Sequence, residues 1–153
     1  MSDEPLVSVV LIGFNDVGRI GWALESIRRQ TLRSIEIIVV DDASTDGTAE
    51  YVESVAVNDS RIRLLSRSEN SGGCSAPRND GLRMARAPWV MFCDSDDEYD
   101  MHACATLLRA AEDWNADVVC GTAIRHDVAR DRDKRWRPEL HAADRLISSL
   151  EKE

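Results

Sequence analysis

The segment 35–48, IEIIVVDDASTDGT, decides the fold. Its first half is a β-branched apolar run, Ile35–Val40, and reads as a buried strand. The run stops at two carboxylates, Asp41 and Asp42, and Ser44 or Thr45 can then cap a helix from about Asp46 to Val57. A strand that ends in acids and passes straight into a helix is the repeating unit of a parallel α/β sheet. The same alternation runs outward in both directions. Leu6–Ile12 (LVSVVLI) is a strand ended by Gly13 and Asn15, and Ile20–Arg29 carries Ile20, Ala23, Leu24 and Ile27 at helical spacing. Ile62–Leu65 is a short third strand. Pro77 suits the first turn of a helix that runs to about Arg86. Trp89–Cys93 (WVMFC) is a fourth strand, Met101–Trp114 an amphipathic helix, and Asp117–Cys120 (DVVC) a fifth strand. Strands separated by helices pair in parallel through right-handed crossovers. The expectation is an α/β, Rossmann-like fold: a central, mostly parallel sheet with helices on both faces.

The chain has 153 residues and a net charge of −9. Two stretches without a base, 41–46 and 94–100, carry eight of those nine charges. Both follow predicted strands, so both acid clusters fall on one edge of the sheet, where ligands of open α/β sheets bind. The acid excess argues against nucleic acid as a partner. Of the 19 basic residues 17 are Arg, and the first Lys is Lys134. That excludes phospho-receiver and haloacid-dehalogenase chemistry, both of which need an earlier lysine. No G-x-G-x-x-G follows Ile12, which excludes a dinucleotide site. The four cysteines lack C-x-x-C spacing, and Cys93 and Cys120 read as small buried residues. His102, His126 and His141 lack metal-ligand spacing and read as surface or capping residues. Trp89 and Trp114 read as packing residues, whereas Trp22 is undecided. A cytoplasmic location follows, with no transmembrane segment and with peripheral association at the inner face of a membrane left open. Residues 125–138 are densely charged without strand period, and Ala142–Leu150 reads as a helix.

Three segments carry chemistry. In Asp94-Ser95-Asp96-Asp97, positions i and i+2 of extended chain face the same way, so Asp94 and Asp96 can share one ligand. Carboxylates this close repel unless a proton or cation lies between them, and Mg²⁺ or Mn²⁺ takes such oxygen ligands together with phosphates. A solvated acidic turn would use the same residues. In the stretch Asp41–Thr48, Asp42 is the candidate ligand contact, and Asp46 and Thr48 look structural. In Asn70–Leu82 the glycines let backbone approach a ligand, and Arg78 is a bidentate donor for phosphate. Arg78 would serve equally to neutralise an acid cluster.

Taken together these segments resemble family 2 glycosyltransferases of the GT-A fold. The family's opening strand followed by I-P-x-Y-N is similar to Val7–Asn15. Its D-D-x-S-x-D-x-T turn is similar to Asp41–Thr48. Its N-x-G-x-x-x-A-R-N-x-G-L segment is similar to Asn70–Leu82, with one extra loop residue and Pro77 in place of Ala. Its D-x-D-D element is similar to Asp94–Asp97. The resemblance implies a nucleotide-sugar donor, commonly UDP-linked, and Mn²⁺ or Mg²⁺. It implies that Phe14 lies against the base, that Asp42 hydrogen-bonds it, and that Ile12, Asn15, Asn70, Arg78, Asp94 and Ser95 complete the donor site. Asp96, with Asp94 and Asp97, would hold the metal. Ile12-Gly13-Phe14 replaces the commoner Pro-Thr-Tyr, so the base pocket loses a hydroxyl.

The family usually inverts the anomeric centre, with an Asp or Glu as general base on the acceptor hydroxyl. The catalytic base is unknown here and is expected beyond Glu153. Asp127, Asp131, Asp133, Glu139 and Asp144 form no base motif. Residues 1–124 are accordingly expected to form the nucleotide-sugar-binding domain, and 125–153 to begin an acceptor-side region of a longer enzyme of cell-wall or polysaccharide synthesis. The acceptor would be a glycan, polymer or lipid-linked hydroxyl. The alternative is a non-catalytic nucleotide-sugar-binding module that lacks the base.

Overall fold

The computed structural model describes residues 4–127 and 132–135. The positions expected as the helix 142–150, together with Asp131, Glu139, Asp144 and His141, lie outside them. The chain divides into two compact units, one up to Leu108 and one from Arg109 on.

The first unit is a parallel sheet of four strands: β1 (Val7–Gly13), β2 (Ile35–Asp41), β3 (Ile62–Ser66) and β4 (Trp89–Asp94). Their order is β3-β2-β1-β4. Strand β1 is central, with Val7 opposite Ile35 on one side and Trp89 on the other. Every residue of β1 and β2 is buried. Helices α1 (Ile20–Arg28) and α2 (Thr48–Ala56) cover one face, where Val7, Val9, Leu11, Ile37 and Val39 meet Ile20, Leu24, Ile27 and Val52. Cys104, in α4 (Ala103–Trp114), joins that cluster. Helix α3 (Ser75–Met84) covers the other face, where Val10, Ile12, Ile38 and Val40 meet Met84 and Val90. The alternation of side chains along β1 therefore feeds two separate cores. The sheet is Rossmann-like, as the alternating pattern requires.

Two polar residues interrupt the apolar strands in register. Ser8 lies opposite Glu36, and Ser8 Oγ donates to Glu36 Oε1 at 2.7 Å. Arg86 N and Nε donate to the same carboxylate at 2.7 and 3.0 Å, and Arg63 Nη1 at 3.1 Å. Burial opposes ionisation of Glu36, but the Ser8 hydroxyl and the Arg86 and Arg63 groups hold it below its ordinary value. This buried charge anchors the α3–β4 connection.

Three expectations are corrected. Residues 117–120 form no strand, and Val118 is 79% exposed. The further strands are β5 (Ile124–Asp127) and β6 (Arg132–Arg135), an antiparallel pair in the second unit, placed where the charged sequence showed no strand period. Cys120 is exposed, whereas Cys93 is buried as expected. Apolar patterning finds strands that face a core, and a backbone-paired hairpin of charged residues leaves no such pattern. Trp114 is 46% exposed, while Trp89 packs against the larger core.

Gly81 of α3 lies directly over Val10, and a Cβ there would overlap the Val10 side chain. Gly81→Ala should lower stability by about 1–3 kcal/mol through overpacking, read as a lower urea midpoint with an unchanged m-value.

Candidate functional site

The carboxyl ends of β1, β2 and β4 converge with the N-terminus of α3. In the order β3-β2-β1-β4 the chain reverses direction of progress between β1 and β4. That is the topological switch point at which open α/β sheets bind ligands.

The loop after β1 is stitched to the loop after β2. Asn15 adopts φ 50° and Ala43 φ 66°. Asn15 N donates to Ser44 Oγ at 2.8 Å, and Thr45 N donates to Asn15 Oδ1 at 2.8 Å. Asp16 N donates to Thr48 Oγ1 at 2.9 Å, and Val17 N to Asp46 Oδ2 at 3.0 Å. Ser44 and Thr45 thus brace Asn15 and do not cap the helix. Helix α2 starts two residues later than expected, at Thr48, after Gly47 at φ 95°. Thr48 N donates to Asp46 Oδ1 at 3.0 Å. The Thr48 hydroxyl and Val17 N–H hold the Asp46 carboxyl below its usual value.

Asp42 is 4% exposed and its carboxylate is saturated. Arg67 Nη1 donates to Oδ1. Oδ2 accepts from Ser71 Oγ at 2.7 Å, Ser71 N at 3.0 Å and Asn70 Nδ2 at 3.1 Å. Arg67 Nε also pairs with Asp80 at 2.9 Å. Burial penalises the Asp42 charge, yet the Ser71 hydroxyl, Arg67 and Ser71 N–H together hold its pKa below the ordinary value. Asp42 therefore latches the Asn70–Ser71 loop onto the sheet.

This latch shapes a cavity of about 460 Å³. Ile12, Gly13 and Phe14 wall it from the end of β1, Asp42 and Asn70 from the latch, Gly72, Gly73 and Cys74 from the loop entering α3, Pro77 from the first turn of α3, and Asp94, Ser95 and Asp96 from the end of β4. Phe14 is 47% exposed. Asp94–Asp97 is a tight turn in which Asp97 N donates to Asp94 O at 3.0 Å. Arg78 Nη2 donates to Asp94 Oδ1 at 2.6 Å, and its guanidinium lies 6.0 Å from the Phe92 ring centre. Hydrogen bonding to Asp94 raises the Arg78 pKa. Burial raises that of Asp97, and the charges of Asp96 and Asp94 raise it further. Beneath the turn, burial pushes the Cys93 thiol up to about 12, so it stays protonated.

A family model described as glycosyl transferase family 2 matches residues 8–150. The chain belongs to this family. It is 35% identical over 122 residues to the glycosyltransferase GlyG of Streptococcus pneumoniae serotype 4, a match covering 80% of this chain and 40% of that protein. It is similar to the crystal structure of Staphylococcus aureus TarS 1-349 in complex with UDP-GlcNAc, with TM-score 0.66 and 31% identity over 70% of this chain and 31% of that one. It is also similar to the mannosyltransferase PcManGT from Pyrobaculum calidifontis in complex with GDP-Man and Mn²⁺. There the TM-score is 0.63 and the identity 30%, over 78% of this chain and 34% of that one. The chain spans two fifths or less of the length of these relatives. Its sheet is accordingly the GT-A fold.

Of the residues singled out from sequence for this family 2 site, Ile12, Phe14, Asp42, Asn70, Asp94, Ser95 and Asp96 line the cavity. Asn15 braces the neighbouring loop, Arg78 stands behind Asp94, and Asp97 closes the turn. Sequence reasoning passed over Arg67 and Asp16. Arg67 sits one residue past β3, and Asp16 is a buried acid in the β1–α1 loop. The signal for Arg67 was available: a lone base past a strand end, on the same edge as Asp42. Asp42→Asn should cost about 1–3 kcal/mol, because an amide cannot accept from every donor around it. The folded-state pKa is depressed, so the stabilisation is present above the unfolded carboxylate value and lost as pH falls. The gap in melting temperature from wild type should be full above about pH 5 and shrink below about pH 4.

Proposed function

We propose that this chain forms the donor-binding half of a metal-dependent, inverting glycosyltransferase. It would move a hexosyl or N-acetylhexosaminyl group from a nucleotide diphosphate, a UDP-sugar, to an acceptor hydroxyl on a glycan, polymer or lipid-linked substrate. The observation that carries this is the cavity at the β1/β4 switch point, lined by the exposed ring of Phe14 and by the carboxylate residues Asp94 and Asp96. The UDP-GlcNAc and the GDP-Man with Mn²⁺ named for the two similar structures support the donor class and the metal.

Each residue has a task. The Phe14 face takes the flat base, and Asp42 holds Asn70 and Ser71 beside it. The glycine-rich backbone at Gly72 and Gly73 lets the diphosphate approach closely. Among the described residues no three His, Cys, Asp or Glu side chains make a ready metal cage. That fits a hard cation held by one or two carboxylates plus substrate phosphates. Asp96 is exposed and accepts no hydrogen bond from the described residues, whereas Asp94 shares its charge with Arg78. Asp96 and Asp94, together with the substrate phosphates, would hold Mn²⁺ or Mg²⁺, with Asp97 as the second candidate beside them. When bound, the cation offsets charge growing on the leaving diphosphate. The acceptor oxygen attacks the anomeric carbon, the bond to the phosphate oxygen breaks with its electron pair, and the acceptor proton passes to a general base. The acids that line the cavity already have other tasks, so the base comes from outside it. We assign this work to the cytoplasm, at the membrane face where the acceptor is lipid-linked. Among the described residues no helix is long and apolar enough to cross a membrane.

Thermal melts with UDP and UDP-sugars test the reading. A ligand at a hundred times its Kd adds about 2.7 kcal/mol, so UDP with Mn²⁺ should raise the melting temperature clearly, and much less with EDTA. Asp96→Asn should remove the metal-dependent part, and Glu53→Gln, on α2, should not. No shift with any nucleotide diphosphate overturns the donor site. Donor binding without transfer or slow donor hydrolysis in the full-length protein favours the binding-module alternative.

A further inference from the structure

The Asp94–Asp97 turn is tied to the far side of the switch point by a single side chain. Ser95 Oγ donates to Asp16 Oδ2. Asp16 is 6% exposed and comes from the loop after β1. Its other oxygen, Oδ1, accepts from Arg19 Nε at 2.6 Å. Gly13 lies beside this contact: a Cβ there would stand in ordinary contact with Ser95 Cβ, at 3.4 Å, and press on Ile20 Cδ1 at 3.2 Å. Asp16 also anchors its own loop through its backbone. Its N–H donates to Thr48 Oγ1 at 2.9 Å, and its carbonyl accepts from Arg19 N and Ile20 N, both at 2.9 Å. The carboxylate thus divides its two oxygens between Arg19, within that loop, and Ser95, the residue between Asp94 and Asp96.

We propose that Asp16 is a positioning residue: through Ser95 it holds Asp94 and Asp96 at a fixed separation, so the turn presents both carboxylates before a cation arrives. The inference rests on the donor-site reading above. Asp94 and Asp96 repel each other, and an unbraced turn would relieve that by splaying. The brace crosses from β4 to β1 and pins Ser95 Oγ against the sheet end. The arrangement is preorganisation: the cost of bringing like charges together is met in folding and not at each binding event.

The test measures Mn²⁺ binding directly, from loss of the free-ion electron paramagnetic resonance signal, with and without UDP. It uses the full-length protein and the variants Asp16→Ala, Ser95→Ala, Ser95→Thr and the double alanine. Asp16→Ala and Ser95→Ala should each weaken Mn²⁺ binding in the presence of UDP about tenfold. For Asp16→Ala, whose side chain does not line the cavity, UDP binding in EDTA should change less than twofold. The double variant should be no weaker than either single one, because both cut the same link. Ser95→Thr keeps the hydroxyl and should restore binding to within about threefold of wild type. Single variants that bind Mn²⁺ like wild type overturn the positioning role, as does an additive double variant. Equal loss of UDP binding in EDTA by Asp16→Ala shows general damage to the loop and also overturns it. A wild-type protein that binds no nucleotide with Mn²⁺ overturns the donor-site reading itself, an outcome visible before any variant is compared.

Discussion

Strand β1 is paired on both edges and covered on both faces, and the rest of the molecule is arranged around that constraint. A strand so placed has no room for a charge along its length, and Val7–Gly13 is buried throughout. Its one polar side chain, Ser8, is tolerated because Glu36 and the Ala87 N–H satisfy it. Polar function is thereby pushed to the carboxyl end, where Phe14, Asn15 and Asp16 follow immediately. The neighbours obey the same rule, so Asp42 and Asp94 reach the same rim. Polar groups collect there because a charge within the strands needs a full set of partners, as Glu36 of β2 has in Ser8, Arg63 and Arg86.

The negative charge of that rim is more structured than its composition implies. Asp42 is met by Arg67, and Asp94 by Arg78. Asp46 is held by Thr48 and Val17 N–H. Asp96 and Asp97 keep the least compensated charge, and the Asp97 pKa is raised first by burial and then by the charges of Asp96 and Asp94. Arginine suits this work better than lysine. A guanidinium can bridge two acids, as Arg67 does between Asp42 and Asp80.

Most of the sheet was legible because β1, β2 and β4 are β-branched or apolar runs that end at abrupt polar stops. Strand β1 is shifted by one residue from its expected bounds, and β2 and β4 start as expected and run one residue longer. The family resemblance was legible because four motifs kept their order and spacing. What was illegible follows a different logic. Residues 117–120 have the composition of a strand but form none, and β5 and β6 have a composition that hides one. Ser44 and Thr45 were natural caps by type, yet they turn away to brace Asn15, a pairing 30 residues distant that no local rule reveals. Nothing in the sequence singles out Asp16, and only its burial and its bond from Ser95 bring it to notice.

The pairing of β1 with β4 also bears on how the chain is born. In sequence order β2 and β3 arrive first and close one side of the sheet. The other edge of β1 must wait for Trp89, some eighty residues behind Val7. A chain emerging from the ribosome therefore carries an open, apolar strand edge for much of its synthesis, the kind of surface that nascent chains join by mistake. The α3 loop that later frames the cavity is made within that interval. The cavity is completed only when β4 slots in, so its assembly and the retirement of that edge are one event.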